Sequence, residues 1–236
     1  MARLAFRMPE IRSAAGALAI VLIAVSVLGA LFKPFLVLTA LVPEAVIHGF
    51  VWQLLTYAFV ENSPTGVIFG ALITWSIGGA LEMMWGRRRM LFFTAGVVVL
   101  AAIFTVALAL LVPALVREWY PGGTVMTGAL WVAYGLQIGR GPANFWGLPT
   151  TGNVLALIGV GFVFLNGAFA GISTVIPSAF ALLFTFLYTR GFRPSELWTR
   201  FQTWRLQRSL DKRSAHLRTI DGGRSNMGRD SDKYLH

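Results

Sequence analysis

The sequence predicts an all-α integral membrane protein, a bundle of six helices with both termini in the cytoplasm. Three observations carry that expectation. The 236-residue chain is 56% hydrophobic and only 13% charged, about half the charged share of a soluble globule. Its apolar residues gather into runs near the ~20 residues that a spanning helix needs. Its basic residues are spread very unevenly over the segments between those runs.

The six runs cover residues 14–32, 66–85, 90–112, 122–139, 152–169 and 174–188, the last being the shortest. None carries Asp, Lys or Arg in its middle, and Glu82 lies near the end of the second. Hydrocarbon offers no water to backbone N–H and C=O groups, so each run must satisfy them internally as a helix. Arg3, Arg7 and Arg12 precede the first run. That run is longer than the core of a signal peptide and further spans follow it, so it reads as a retained helix. With six spans and a cytoplasmic N-terminus, Lys33 and Arg117 are the only two of the 20 basic residues that face outward. One span more or fewer would spoil this asymmetry. The formal net charge of +10 therefore speaks of topology rather than of nucleic acid.

The expected organisation has four parts. Residues 1–13 form a cytoplasmic N-terminus and residues 14–190 the membrane domain. Within the domain, the outer loop 33–65 contains Pro34, Pro43 and Pro64, and residues 48–59 interleave aromatic with aliphatic side chains. Such a segment lies in the interface rather than crossing it. Gly86 permits a tight turn at Arg87, Arg88 and Arg89, where Glu82 either pairs with an arginine or snorkels to the surface. The fourth helix carries Gly122, Gly123, Gly128, Gly135 and Gly139, which suits close helix contacts at the centre of a bundle. The loop 140–151, with Phe145, Trp146 and Pro149, reads as an interfacial turn. In residues 191–220, Leu197, Phe201 and Trp204 recur at helical spacing, with Trp198, Arg200, Arg205 and Arg208 among them. This is a basic amphipathic juxtamembrane helix, either bound to anionic lipid or carrying ordinary positive-inside charge. Residues 221–236 are expected to be disordered.

The chemistry available is limited. Without cysteine there is no disulfide, thiol nucleophile or thiolate metal site. The three histidines are His48 in the outer loop and His216 and His236 in the tail. No lysine lies within a span. Glu61 and Glu82 stand near opposite ends of the second helix, about 30 Å apart at helical rise. No metal-ligand spacing and no phosphate loop occur, so no metal or cofactor is expected. Thr127 is expected to bond back to its own helix or to contact a neighbouring one. Asn166 is the most polar residue near the fifth span's end, and Ser173 and Thr174 are expected caps of the last helix.

Three stretches together resemble the rhomboid family of intramembrane serine proteases. The first runs from Trp52-Gln53-Leu54-Leu55-Thr56-Tyr57-Ala58-Phe59 through Ile77-Gly78-Gly79-Ala80-Leu81-Glu82 to Trp85-Gly86-Arg87-Arg88-Arg89. The second is Met126-Thr127-Gly128-Ala129 with Gly135, and the third is the last helix. The resemblance implies a six-helix fold whose fourth helix starts below the outer surface and opens into a cavity. It also implies a Ser/His dyad with an oxyanion hole and a bacterial cytoplasmic membrane. This chain departs from the family at those places. Thr127 stands at the nucleophile position, Val125 at the motif's first glycine and Thr174 at the histidine. Gly66 and Gly70 stand where oxyanion-assisting residues are usual, Glu61 where a histidine closes the first loop, and Pro177 and Ala181 at close-packing glycines. The resemblance therefore implies a catalytically inactive rhomboid-like protein that binds transmembrane segments or membrane-protein partners without cleaving them. Trp52, Gln53, Gly128 and Trp131 are the expected partner contacts. The alternative is an active atypical peptidase using Thr127, which needs a base that the sequence does not show. A transporter would need ionisable residues within the spans or paired broken helices, and neither is present. Membrane lipids and other transmembrane proteins are the expected partners, not nucleic acid, and the oligomeric state is left open.

Overall fold

The computed structural model describes residues 13–191, apart from Trp146. The N-terminal segment 1–12, the expected basic helix with Trp198, Arg200, Trp204, Arg205 and Arg208, and the tail 221–236 lie outside the described residues. The chain runs through α1 (Ala14–Leu31), three short helices α2 (Lys33–Thr39), α3 (Pro43–Ile47) and α4 (Gln53–Thr56), and a 3₁₀ turn at Tyr57–Phe59. It continues through α5 (Pro64–Trp85), α6 (Arg87–Leu111), a second 3₁₀ turn at Pro113–Leu115, and α7 (Gly123–Ile138). A hairpin of β1 (Pro142–Phe145) and β2 (Leu148–Thr151) leads to α8 (Gly152–Ala170), a third turn at Ile172–Thr174, and α9 (Val175–Thr189).

Helices α1, α5, α6 and α8 are long and apolar enough to cross a membrane. Helix α7 has 16 residues and α9 has 15. At 1.5 Å per residue α7 is about 24 Å long, short of a ~30 Å hydrocarbon layer. Among the described residues, then, helix length and composition account for four crossings rather than the six expected. The short α7 is nonetheless the centre of the bundle and packs on α5, α8 and α9. Its Gly135 explains the contact with α8: a Cβ there would lie 2.5 Å from the Ala156 backbone nitrogen and 2.7 Å from the Gly152 oxygen. The two backbones touch, and no larger residue fits between them.

The bundle has two distinct ends. At one, the first N–H groups of α1, which lack helical acceptors, reach the carboxylate of Glu82 near the end of α5. Ala14 N–H donates to Oε1 at 3.0 Å and Ala15 N–H to Oε2 at 2.9 Å. This corrects both expectations for Glu82: it neither pairs with an arginine nor snorkels, but completes a neighbouring helix terminus, whose positive dipole end favours an anion. Arg89 at the start of α6 meets Tyr188 near the end of α9 at this same end. We call it the arginine end, and the opposite one the loop end.

Two loops differ from expectation. Pro34 is the second residue of α2, and Pro43 and Pro64 are the first residues of α3 and α5, so the outer loop holds short helices, and each proline opens a helix. The missing proline N–H has no helical partner to lose there. The loop is stitched to the bundle by Ser26 Oγ donating to Phe59 O at 3.0 Å and Tyr57 Oη donating to Val98 O at 2.9 Å. The loop 140–151 is an antiparallel hairpin, with Pro142 opposite Thr151 and Phe145 opposite Leu148. Gly147 supplies the positive φ of 93° that its turn requires, and its N–H donates to Asn144 Oδ1 at 2.7 Å. Two four-residue strands, each holding a proline, leave too little alternation to be recognised in the sequence.

Candidate functional site

The loop end holds a cavity of about 640 Å³ between the first turns of α5 and α7, the last turns of α8 and the start of α9. Glu61, Glu118, Thr124, Asn166, Thr174 and Ser178 are among its lining residues. The cavity follows from where α7 begins. Gly122 N–H donates to Tyr57 O at 2.9 Å and Gly123 N–H to Val60 O at 3.0 Å, which pins the start of α7 against the loop.

Glycine is needed at these positions because side chains of the loop occupy the space. A Cβ at Gly122 would fall on the Tyr57 ring, and one at Gly123 on the Glu61 carboxyl. A Cβ at Gly66, in the first turn of α5, would lie 2.7 Å from Glu61 Oε2. The Glu61 side chain thus rests between two helix starts, with its own N–H donating to Ser26 Oγ at 3.0 Å. Burial pushes its carboxyl up to about 7, against the lowering effect of the Asn62 N–H. Burial also raises the Tyr57 phenol well above its ordinary value, so it stays a neutral donor. The Tyr120 phenol is pushed up to about 12 by burial and by the negative charge of Glu118.

The residues singled out in the sequence fall into separate places. Thr127 is 2% exposed, and its hydroxyl donates to Gly123 O at 3.0 Å. Its methyl faces Gly70, where a Cβ would sit 3.5 Å away. Thr174 lines the cavity but does not cap α9 as expected. Its backbone is already helical, and its hydroxyl donates to Gly171 O at 2.7 Å. Asn166 also lines the cavity, with Nδ2 donating to Phe162 O at 3.0 Å. His48, the one histidine among the described residues, sits at the exposed end of α3, where Nδ1 contacts Glu44 O at 2.7 Å.

Three of the four expected partner contacts are tightly packed within the chain. Gln53 is 1% exposed; its Oε1 accepts from Val42 N–H at 3.0 Å and its Nε2 donates to Val37 O at 3.1 Å. A Cβ on Gly128 would lie 2.6 Å from Val163 of α8. Trp131 is 5% exposed and packs on Phe162 with ring centroids 5.7 Å apart. Trp52 alone of the four reaches the surface, at 48% exposure, with its indole N–H donating to Leu38 O at 3.0 Å. Glu61, in the cavity wall, was noted in the sequence only as a substitution and as an acid too far from Glu82 to pair with it. The signal for it is a lone acid two residues before the Ser63-Pro64 helix start.

Four helices long and apolar enough to cross a membrane, packed in one bundle, mark a multi-pass integral membrane protein. The chain belongs to the family described as eukaryotic integral membrane protein (DUF1751), whose model matches residues 16–207. No curated protein matches it. This corrects the resemblance to rhomboids, because the family that matches is a different one. The expectation of a bacterial cytoplasmic membrane rested on that resemblance and loses its basis, since the matching family is described as eukaryotic. The stretches that carried the resemblance do structural work here: Glu82 completes α1, Gly86 turns the chain at a φ of 82°, and Gly128 and Gly135 bring α7 against α8.

Proposed function

We propose that this protein binds transmembrane segments or membrane-protein partners without cleaving them, taking a polar or basic group of the partner into the loop-end cavity. The observation that carries this reading is the cavity itself: two carboxyl groups, Glu61 and Glu118, among hydroxyl and amide side chains in its wall. A buried or half-buried polar group is costly unless it finds a hydrogen-bond partner, so such a wall favours a segment whose own polar atoms are poorly satisfied in lipid. Thr127 supports a role without cleavage, because its hydroxyl proton is directed to a backbone oxygen of its own helix.

Photocrosslinking in native membranes tests the reading. A photoreactive residue at Thr65 or Ser178, both in the cavity wall, is expected to capture membrane proteins that the same residue at the exposed Ile103 does not. Equal capture from both places would remove the cavity from the argument. Cleavage of single-span substrates by the reconstituted protein, abolished in Thr127→Ala, would overturn the non-cleaving role.

The same reading includes six crossings with both ends of the bundle domain on the cytoplasmic side. Arg87, Arg88, Arg89 and Arg190 cluster at the arginine end, which the positive-inside rule assigns to the cytoplasm. The chain has no cysteine, so single cysteines report directly. Ser63→Cys should react with an impermeant thiol reagent from outside, and Arg140→Cys only after permeabilisation; the reverse result refutes this topology.

A further inference from the structure

At the arginine end a second, apolar recess of about 400 Å³ runs between α6 and α9. Phe92, Gly96, Leu100 and Phe184 are in its walls, and Arg89 and Tyr188 close it at the end. Phe92, Gly96 and Leu100 are four residues apart along α6, so they form one stripe. From Arg89 to Leu100 the helix rises about 16 Å, close to half of a ~30 Å hydrocarbon layer. The recess thus has the length of one leaflet, with a cation at its polar end.

That cation is held in place and has no counter-charge among the described residues. Arg89 Nε donates to Tyr188 Oη at 3.1 Å. Its guanidinium carbon lies 4.9 Å from the Trp85 ring centroid and 5.8 Å from that of Tyr188. Aromatic faces orient a guanidinium without neutralising it, and its terminal amino groups remain able to grip an anion with two parallel bonds. Arg87 and Arg88 adjoin it. Glu82, the acid nearest in sequence, is engaged by Ala14 and Ala15. Among the described residues the ion pair found is Arg117 with Glu44, at the other end of α6. A fixed cation with no acidic partner among the described residues, above an apolar groove of leaflet length, is complementary to an amphiphile with an anionic head.

We propose that the α6/α9 groove binds an anionic phospholipid, with one acyl chain along Phe92, Gly96 and Leu100 and its phosphate on Arg89. The site is separate from the loop-end cavity and does not depend on what that cavity holds. Gly96 offers a clean way to close it. A Cβ built there meets nothing within 4 Å, so a larger side chain enters the groove without displacing the protein, and it also improves helix propensity.

The test is lipid retention by the full chain, purified from nanodiscs of equal parts phosphatidylcholine and phosphatidylglycerol and read by native mass spectrometry. The wild-type protein is expected to keep one phosphatidylglycerol in preference to phosphatidylcholine. Arg89→Gln, which removes the charge, should lower that preference about tenfold, the scale of a lost charged hydrogen bond, and Gly96→Leu, which fills the groove, should lower it by excluding the acyl chain. Arg89→Lys keeps the charge without the fork and should fall between. Unchanged thermal melting of Gly96→Leu shows that it folds. A wild-type preference that survives in either Arg89→Gln or Gly96→Leu, or no preference in the wild type, overturns the proposal.

Discussion

A glutamate stands near each end of helix α5, Glu61 in the loop just before it and Glu82 in its last turn, and the two have opposite fates. Glu82 gives both carboxylate oxygens to N–H groups of α1 at 2.9–3.0 Å, so its charge is consumed inside the fold. Glu61 sits between the glycine-lined starts of α5 and α7, where burial pushes its carboxyl up to about 7. The difference lies in the neighbouring helix terminus. At the arginine end α1 begins beside the acid and turns its free N–H groups toward it. At the loop end the first N–H groups of α7 are taken by Tyr57 O and Val60 O, so Glu61 is left facing a cavity. Glu82 is satisfied within the fold, and Glu61 lies in a cavity wall.

That contrast can be broken in order of expected effect. Gly135→Leu removes the scaffold that holds both ends, because its side chain has only α8 backbone to enter. Overpacking of this kind should cost about 3 kcal/mol or more, seen as loss of the folded fraction in graded detergent denaturation. Glu82→Ala strands two N–H groups of α1 and should cost about 2 kcal/mol. Glu82→Gln, which keeps one acceptor, should cost less.

Glu61 should reveal itself through pH. Its folded value of about 7 stands above the ordinary 4.5, so the folded chain binds more protons than the unfolded one between those limits. Stability from this group is therefore greatest below pH 4.5 and falls as pH rises through about 7. Melting of the wild type should drop by a few degrees over that window, and Glu61→Gln should flatten the part of the drop due to this residue. Glu118 shares the cavity, so the difference between wild type and Glu61→Gln, rather than the raw curve, is the measure. A wild-type curve no steeper than that of Glu61→Gln would mean that Glu61 is as well solvated as an ordinary surface acid. The smallest effect belongs to Thr127→Ala. A hydroxyl bonded back to its own helix contributes little, and the loss should stay within about 1 kcal/mol.

The membrane class was legible because hydrocarbon imposes a crude requirement: long apolar runs that satisfy their own backbone. The starts of α1, α5, α6 and α8 follow their apolar runs within a few residues. The central place of α7 was legible from its glycines for the same reason, since close helix approach excludes side chains. The hairpin at 142–151 was hidden by its length, and the burial of Gln53 and Trp131 by its dependence on distant neighbours. Gln53 and Trp131 look like surface recognition residues in a string of letters, but Gln53 is consumed by the loop backbone and Trp131 by packing on Phe162.

By itself, the sequence determined that this chain lives in a membrane, which segments are apolar enough to do so, and that basic charge gathers between particular helices. Those properties are local sums over composition. Only the tertiary structure decided that Glu82 closes a helix while Glu61 faces a cavity, that Arg89 is pinned between two aromatic rings, and that Thr127 points at its own backbone. Each of these depends on which helix terminus or groove arrives beside the residue. Contacts between residues as distant as Ala14 and Glu82, or Arg89 and Tyr188, are set by packing and leave no mark on either residue's neighbours in the chain.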